Sequence, residues 1–579
     1  MNILGIHDGH TASAALIRDG KLFGVVQEER YTRTKNQGGF PEHAITELLD
    51  LAGLSWSDVD ATAFSTQAFR NDAMRDRTEV MAVFKELFSG THYAQIRQTP
   101  DDVTDANASK KAAVRSDRLR AKGYAGPIEF IDHHTCHASA AYFGRGRFDH
   151  GRCAVLTCDG QGDGAAGAVF VGEGWTLTEK CHIPRDDSIA QLYSYLTYLL
   201  GFVPLEHEYK LMGLAPYAAG SKGAREISQF FSSMFVQPSA GEYAWRRVEG
   251  VPPSELQPAF LDEKLKRRRF DELAAGLQLF FEEFVTEWAL KVTQALETDS
   301  LAVAGGAFMN VKLNQRLSQH PSIADFYVIP SCGDESNSLG AAWALSSRLD
   351  VPPEGGLRDI YCGRHYGSDA YERALDAVKE ADVTISRPKD IEDAVAEQLA
   401  AGRIVARFAA GAEFGARALG NRSILSRPDS IGNLQEINSA IKSRDFWMPF
   451  APSVLDIGVD QLLATKAPPR SPHMMISFDT TTEGAKLLAA AIHPKDKTAR
   501  AQILRRADNE TYYHLVERFH ALTGIPAVLN TSFNIHGEPI VETPEDAVSV
   551  FVRSGLRTLA LGPYLLTKND RHGQPENLA

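Results

Sequence analysis

The sequence predicts an α/β protein of two domains, and three observations support this prediction. The chain has 579 residues, and because a domain usually has about 100–200 residues, more than one folding unit is expected. Short apolar strands and turns containing glycine recur in the first part of the chain, and strands alternate with helices in the second. Between them, the segment Asp350–Gly356 contains two prolines and two glycines, which oppose helix and central strand alike. We therefore expect domains at 1–350 and 359–579, with a linker at 351–358.

The composition argues against several partners and compartments. The net charge is −13, whereas nucleic acids and membrane surfaces attract basic patches, so neither is expected as a partner. The six cysteines form no C-x-x-C pair, which favours a reducing cytoplasm over a disulfide framework or a zinc ribbon. The N-terminus has no basic segment before its first strand pattern, and the apolar run from Leu192 to Leu205 is too short to span a bilayer. We predict a cytoplasmic protein.

Two strand–turn–strand units are expected in the first domain. Residues 2–6 read as a strand, followed by strands at 13–18 and 21–28 that a hairpin turn at Asp19-Gly20 joins. The second unit has strands at 153–158 and 165–171 around the turn that begins at Asp159. Residues from about 66 to 120 are charged and lack strand signals. They predict an inserted helical region, which could act as a lid or as a platform for an acceptor.

Three turns in this domain are candidates for nucleotide binding. Asp8-Gly9 and Asp159-Gly160 occupy equivalent places in the two units, and the strand Leu301–Ala304 runs into Gly305-Gly306. Such glycine turns let backbone amides approach a ligand closely and can open a helix whose N-terminus favours anions. Two phosphate loops and one adenosine loop in this order resemble the actin-type ATPase fold. The alternative is that the Asp-Gly turns only connect strands, since Asp-Gly is a common hairpin signal.

The segment Asp132–His137 is a candidate metal site. His133 and His137 are four residues apart, so a helix would place both on one face. Imidazoles suit Fe, Zn, Ni or Cu, and Asp159 and Asp334 could supply two carboxylates from tight turns, the second before a helix expected at 338–345. Such a set leaves positions open for a substrate. A lone histidine pair of this spacing is more often structural or on the surface than part of a ligand set, and Cys136 is taken as a packing residue.

The second domain concentrates cations among small and apolar residues. Asp369 and Asp390 are expected to cap helices, the second helix ending at Gly402, and Thr543-Pro544 with Asp546 predicts another helix start. An acyl phosphate needs several fixed cations and amide or hydroxyl donors. A solvated charged face is the alternative, but it does not explain why the arginines stand among Gly, Asn and Ser. The candidate residues are Arg417, Lys442, Arg444, Arg500, Asn530 and Ser532.

Taken together, the motifs of the first domain resemble the NodU/CmcH family of O-carbamoyltransferases over nearly the whole chain. The stretches that carry the resemblance are His10–Leu16, Glu28–Lys35, His133–His137, Asp159–Asp163, Lys210–Tyr217, Gly305–Asn310 and Gly333–Gly340. The resemblance implies an Fe(II) site, with Zn or Mn also suited to the ligands, at His133, His137, Asp159 and Asp334. It implies nucleotide contacts at Lys210, Gly213, Gly305, Gly306 and Asn310. His10 matches the family's catalytic histidine, and Asp8 is the other catalytic candidate.

The second domain carries further motifs of this family and is similar to the YrdC-type domain. The stretches are Gly415–Leu425, Ile441–Pro452, Thr498–Gln502 and Leu529–Asn534. The resemblance implies that Arg417, Lys442, Arg500, Asn530 and Ser532 hold carbamoyl phosphate and ATP, the latter with Mg²⁺. Two positions depart from the family pattern: Ala416 stands where proline is common, and Met448 stands at an arginine position. Arg444 is a candidate to replace that arginine.

The predicted function is ATP-dependent transfer of a carbamoyl group to a hydroxyl of a small molecule, through carbamoyl-adenylate. Family acceptors include aminoglycosides, cephems, macrocyclic polyketides and chitooligosaccharides, so natural-product or antibiotic tailoring is expected. The alternatives are a hydrogenase-maturation carbamoyltransferase, disfavoured by the lack of C-x-x-C pairs, a threonylcarbamoyl-type tRNA modification enzyme, disfavoured by the acidic charge, and a non-enzymatic actin-type ATP switch. Neither the acceptor nor the oligomeric state, with a homodimer left open, follows from the sequence.

Overall fold

The computed structural model describes residues 1–67, 77–89, 105–148, 151–357, 359–378, 382–465 and 470–569. Its contacts divide the chain into two compact units. Unit 1 comprises Met1–Cys362, Phe414–Ala416 and Met475–Ser477, and unit 2 comprises Gly363–Glu413, Arg417–Met474 and Phe478–Ala579. Among the described residues, no helix combines the length and the apolar character needed to cross a bilayer.

The first sheet of unit 1 forms where the opening strands were predicted. Its five strands are β1 (Asn2–His7), β2 (Ser13–Arg18), β3 (Lys21–Gln27), β4 (Ala61–Phe64) and β5 (Ile128–Phe130). Their order is β3-β2-β1-β4-β5. The hairpin neighbours β1, β2 and β3 are antiparallel, whereas β4 is parallel to both β1 and β5.

The second sheet of unit 1 repeats this arrangement. It contains β6 (Cys153–Gly162), β7 (Ala165–Glu173) and β8 (Thr176–Pro184), then, after the small ribbon of β9 (Phe235–Val236) and β10 (Arg246–Arg247), β11 (Ser300–Ala304) and β12 (Asp325–Val328). The order β12-β11-β6-β7-β8 is the first order read from the other edge. The β6–β7–β8 strands are antiparallel and β11 is parallel to β6 and β12. This duplication confirms the predicted actin-type fold.

Two buried helices form the centre of unit 1. The helices His133–Arg145 and Asn337–Arg348 pack on each other, and nearly all their residues are buried. Gly340 allows the close crossing, because a Cβ atom there would lie 1.8 Å from the carbonyl oxygen of Cys136. The other α-helices among the described residues of the unit are Glu29–Thr32, Glu42–Ala52, Arg77–Ser89, Asp105–Ala121, Gln191–Leu199, Glu208–Leu214, Lys222–Ser232, Gln257–Leu265, Phe270–Ala295 and Val311–Ser318.

The predicted insertion at 66–120 is described in two pieces. Both are helical, as the sequence indicated: Arg77–Ser89 and Asp105–Ala121. Residues 68–76 and 90–104 of the insertion lie outside the described residues.

Unit 2 is a mixed α/β fold around one eight-stranded sheet. The strands are β13 (Val383–Ser386), β14 (Val405–Phe408), β15 (Arg422–Ser426), β16 (Ala451–Leu455), β17 (Gln502–Leu504), β18 (Ala527–Ser532), β19 (Thr558–Leu561) and β20 (Tyr564–Lys568). Their order is β13-β20-β19-β14-β15-β18-β16-β17. The helices are Ser368–Leu375, Ile391–Ala400, Ile431–Ile437, Val459–Leu462, Gly484–Leu487, Glu510–Thr523 and Pro544–Arg553.

The helix caps predicted in unit 2 are confirmed at two of three positions. Asp390 caps Ile391–Ala400 by accepting from two backbone amides, and Thr543 forms a capping box with Asp546. The prediction for Asp369 is wrong: the helix begins one residue earlier, at Ser368, and Gly367 is its N-cap. Glycine is also tolerated at this position, and Asp369 instead lies in the first turn, where its charge still suits the helix dipole.

Candidate metal centre and anion site

Four predicted ligand residues come from three separate elements of unit 1. His133 and His137 lie in the first turns of the central helix, whose N-cap Asp132 accepts from the amide of Thr135 at 2.8 Å. Asp159 lies in β6, and Asp334 opens a short 3₁₀ turn immediately before the helix Asn337–Arg348. The residues therefore come from the start of one central helix, from the turn before the other, and from the last part of β6.

The ligand atoms of these four side chains converge. All lie within 4.8 Å of one another. The Nε2 atom of His137 is 3.2 Å from Asp159 and 3.3 Å from Asp334, and the Nε2 atom of His133 is 3.8 Å and 3.6 Å from the same carboxylates. The two Nε2 atoms are 3.1 Å apart. Two nitrogens and two carboxylate oxygens therefore face one common point.

The electrostatics of this cluster are those of a site that favours positive charge. Burial alone would lower the pKa of His133, but Asp334 and Asp159 together raise it to about 9. Burial opposes ionisation of Asp159 and Asp334 as well, yet the imidazoles hold the pKa of each carboxyl below its usual range. Two carboxylates buried side by side repel each other unless a cation lies between them.

The donor set fits a divalent transition metal. Nitrogen and oxygen ligands bind such ions at about 2.0–2.2 Å, which places the ligands of a tetrahedral site about 3.3–3.6 Å apart. The measured imidazole–carboxylate distances of 3.2–3.8 Å span that range. Imidazole with carboxylate suits Fe, Zn or Mn rather than Ca or Mg. These residues could therefore hold a metal ion.

Two glycines keep space free around the cluster. A Cβ atom on Gly162 would lie 2.1 Å from the His133 ring, and a Cβ atom on Gly306 would lie 3.0 Å from Asp159 Oδ1. Gly306 is one of the predicted nucleotide residues, so the predicted nucleotide turn and the four-residue cluster are neighbours. Gly305, just before it, has a φ of 99°, a conformation open to glycine.

The turn after β1 places the predicted base His10 beside this cluster. His7 is fully buried, and burial lowers its pKa to about 4. It donates from Nε2 to the carbonyl of His10 at 2.9 Å and accepts at Nδ1 from the hydroxyl of Ser65 at 2.7 Å. The His10 side chain is half buried. Burial lowers the pKa of His10, while Asp334 and Asp159 act in the opposite direction.

Asp8, the second catalytic candidate, is held in an ion pair. The guanidinium of Arg115 donates to its two oxygens at 2.8 and 2.6 Å, and both side chains are buried. Charge-assisted hydrogen bonds thus occupy both oxygens of this carboxylate. His10 is therefore the stronger of the two candidates.

The other predicted nucleotide residues lie at two helices of unit 1. Lys210 and Gly213 belong to the helix Glu208–Leu214, and the ammonium of Lys210 lies 5.0 Å from the centre of the Phe202 ring. Asn310 is the N-cap of Val311–Ser318 and bonds Leu313, Gln278 and Tyr193. The Asn310 side chain thus stabilises the protein itself, besides lying near the glycine turn.

In unit 2, Lys442 and Arg444 bind the end of β18, the strand that contains Asn530 and Ser532. Lys442 is buried, and its ammonium donates to Ser532 Oγ at 3.1 Å and to Asn534 Oδ1 at 2.8 Å. Arg444 donates to Thr531 Oγ1 and to the carbonyl of Pro449, both at 3.1 Å. Two cations and a row of hydroxyl and amide groups therefore share one strand end, which is the donor arrangement that an acyl phosphate needs.

Asn530 joins two further motifs to this strand. Its amide donates at 3.1 Å both to the carbonyl of Ala418 and to Ser453 Oγ. Gln502, from the Thr498–Gln502 motif, donates to the carbonyl of Leu419. Arg417 directly precedes Ala418 in the chain, and Arg500 is two residues before Gln502. Both arginines are half buried. Met448, at the position where the family has arginine, is half buried in the segment that Arg444 holds.

Several residues that shape these sites escaped the sequence analysis. His7 precedes the Asp8-Gly9 turn, and Asn337 stands inside the Gly333–Gly340 stretch. The Asn337 amide nitrogen is 3.2 Å from His137 Nε2 and 3.4 Å from His133 Nδ1. Glu413 accepts from the amides of Leu419, Asn421 and Arg422, and so organises the glycine-rich loop. A histidine directly before Asp8 and an asparagine three residues after Asp334 were the available signals. Arg115, in a charged helix, gave none.

Comparison with known proteins adds an independent observation. Residues 2–343 match the model of a family described as Carbamoyltransferase N-terminus, and residues 396–568 match Carbamoyltransferase C-terminus. The chain is 31% identical to Nodulation protein NolNO of Sinorhizobium fredii over 99% of this chain and 80% of that protein. It is 28% identical to the protein MJ1051 of Methanocaldococcus jannaschii over 98% and 99% of the two chains, and 32% identical to Nodulation protein NolO of Bradyrhizobium diazoefficiens over 76% and 79%.

Proposed function

The chain belongs to the carbamoyltransferase family, and from that premise we propose that it carries a carbamoyl group from carbamoyl phosphate, through carbamoyl-adenylate, to a hydroxyl of a small molecule. The observation that carries the proposal is the convergence of His133, His137, Asp159 and Asp334 beside the His10 turn. A transfer reaction needs a site that offsets negative charge next to a group that removes a proton.

The first half-reaction belongs to unit 2. Carbamoyl phosphate, ATP and water give carbamoyl-adenylate, phosphate and pyrophosphate: the carbamoyl–phosphate bond is cleaved by water, and the resulting carbamate oxygen attacks the α-phosphorus of ATP. Lys442 and Arg444, with Arg417 and Arg500, neutralise phosphate charge in this proposal, and Asn530 and Ser532 orient the bound groups. The bonds of Lys442 and Arg444 to the end of β18 support it, because fixed cations bind phosphate better than mobile ones.

The second half-reaction belongs to unit 1. The ring of His10 takes the proton of the acceptor hydroxyl, the hydroxyl oxygen bonds to the carbamoyl carbon, and the bond from that carbon to the phosphate oxygen of AMP breaks. A base must be neutral to act, and the lowered pKa of His10 keeps it neutral at pH 7. The carbonyl of His10 is fixed by His7, which limits how far the turn can move.

The four-residue cluster is proposed to hold Fe(II), with Zn and Mn as ions that the same ligands suit. When bound, such an ion would polarise the carbamoyl carbonyl and offset the charge that develops on its oxygen. The adenylate is proposed to lie along Gly305, Gly306 and Asn310, with Lys210 and Gly213 on its other side. The short distance from Gly306 to Asp159 supports this arrangement, because it brings the nucleotide turn to the cluster.

A pyrophosphate assay followed by mass spectrometry tests the proposal. The chain is incubated with ATP and carbamoyl phosphate without an acceptor, and we expect pyrophosphate only when both are present. A panel of aminoglycosides, cephems, macrocyclic polyketides and chitooligosaccharides is then added, and one carbamoyl group is sought on a member. Lys442→Met should abolish both signals, whereas His10→Gln should weaken only the second. Phosphate release from ATP alone, indifferent to carbamoyl phosphate, would instead indicate an ATP switch.

A further inference from the structure

Arg115 connects the inserted helical region to the turn that carries His10. It lies in the helix Asp105–Ala121, far in sequence from β1, and its side chain is 5% exposed. Two of its nitrogens bind the two oxygens of Asp8 at 2.8 and 2.6 Å. The rings of Phe64 and Phe130 lie 5.1 and 5.9 Å from its guanidinium carbon. The bidentate pair fixes both the position and the orientation of the Asp8 carboxylate.

The same guanidinium also reaches the metal cluster through a short chain of hydrogen bonds. Its third nitrogen donates to the carbonyl of Thr66 at 2.7 Å. The hydroxyl of Thr66 donates to Asp163 at 3.0 Å, and the other oxygen of Asp163 accepts from the amide of His133, also at 3.0 Å. Arg115 is therefore bonded to the first turn directly and, through two residues, to the start of the helix that carries His133.

Stability alone is a poor reason for this pair. Taking a guanidinium and a carboxylate out of water costs several kcal/mol, and apolar residues of similar size often stabilise a core as well or better. What a buried, bidentate pair adds is a defined geometry. The geometry defined here is that of Asp8, which is two residues before His10.

We propose that Arg115 is a positioning residue for the transfer step, holding the Asp8–Thr11 turn so that His10 stays beside the metal cluster. The inference rests on the proposed function, since it assigns His10 its role there. It also gives the insertion a task other than covering the site, because the helix Asp105–Ala121 holds the turn through the buried side chain of Arg115.

The test separates positioning from stability by removing both charges together. Arg115→Met leaves the charge of Asp8 buried and unpaired, which destabilises the fold by itself. The double variant Arg115→Met with Asp8→Asn removes the unpaired charge while keeping similar shapes. Arg118→Met, on the exposed face of the same helix, is the matched control. Each protein is measured for melting temperature, for hydrogen exchange of the peptide covering residues 5–16, and for carbamoylated product formed per pyrophosphate released on the acceptor panel.

The expected result is a double variant that melts close to the wild type but has a loosened turn. Its amides at residues 8–12 should exchange at least about tenfold faster than in the wild type and in Arg118→Met. Its product per pyrophosphate should fall by at least about tenfold, while pyrophosphate release itself is unchanged. A double variant with wild-type exchange at the turn, or with wild-type product yield, would overturn the positioning role. Failure of the wild type to carbamoylate any acceptor would instead count against the proposed function, and the exchange measurement would still decide whether Arg115 holds the turn.

Discussion

The two sheets of unit 1 have the same strand order, yet the aspartates at equivalent places have opposite surroundings. Asp8 follows β1 and is bound by Arg115, whereas Asp159 follows the paired part of β6 and faces His137 at 3.2 Å. One carboxylate is neutralised by a fixed side chain, and the other is left to share its charge with imidazoles and, we propose, with a metal ion. The repeated fold sets the position of each carboxylate, and the side chains packed around the carboxylate determine its role.

The strongest test of this difference removes the charge of Asp159. Asp159→Asn should abolish metal binding and reduce carbamoyl transfer by about a thousandfold, because polarisation of the carbonyl is worth several kcal/mol. Elemental analysis and product mass spectrometry measure the two effects. Asp50→Asn, at an exposed helix position, should change neither. Normal metal content in the Asp159 variant would show that this carboxylate is no ligand.

The same substitution at Asp8 should have a different outcome. Asp8→Asn leaves the buried guanidinium of Arg115 without its partner, which should destabilise the protein by about 3–5 kcal/mol. Metal content in the protein that remains folded should be normal, since Asp8 is not in the cluster. Urea unfolding and elemental analysis give the two values. Loss of the metal with unchanged stability would mean that the two aspartates do not differ as described.

The role proposed for His10, in the turn that Asp8 anchors, predicts how the rate of transfer depends on pH. His10→Gln should slow transfer by about a hundredfold, the scale of a general base, without changing pyrophosphate release. In the wild type, the kcat/KM of transfer should fall as the pH falls through the pKa of His10, because only the neutral ring takes a proton. Burial puts that pKa below the usual 6.5, so the rate should be level at neutral pH. A fall that begins above pH 7 would point to another base.

The smallest effect on the metal affinity is expected at the hydrogen bond between Thr66 and Asp163, which connects Arg115 to the start of the helix that carries His133. Thr66→Val removes the hydroxyl that donates to Asp163 but keeps the shape of the side chain. A hydrogen bond of this kind contributes about 1 kcal/mol, so we expect metal affinity to weaken only a few-fold. Titration with Co²⁺ would measure the change, with Thr46→Val on the exposed face of the helix Glu42–Ala52 as a control. An effect as large as that of Asp159→Asn would mean that Asp163 is itself part of the metal site.

Much of this architecture follows from local sequence patterns. The hairpin at Asp19-Gly20, the central helix that places His133 and His137 on one face, and the caps at Asp390 and Thr543 depend on neighbours within a few residues. The family motifs brought Asp159 and Asp334 into the same set, and the structure brings their oxygens to the two histidines. Local patterns also misled: at the cap expected of Asp369, a glycine serves instead.

Residues whose role depends on distant contacts could not be predicted. Arg115 looks like any cation of a solvated helix until β1 is placed against it. Arginines of unit 2 show the converse: Arg407 is bound by Glu392, and Arg422 holds the carbonyls of Ala409 and Ala410. Both are structural, although composition makes them resemble Arg444. Which arginine meets a ligand depends on carbonyls and carboxylates that approach it in space, and spacing along the chain does not contain that information.

The missing side chain at Gly162 makes the cluster sensitive to a very small change. Since a single methyl group there would overlap the imidazole of His133, alanine, the mildest replacement in most of the protein, is among the most severe at this position. Laboratory evolution aimed at new acceptors should therefore leave this codon fixed and diversify elsewhere. For the same reason, a natural sequence of this family with alanine at position 162 should place the imidazole of His133 differently.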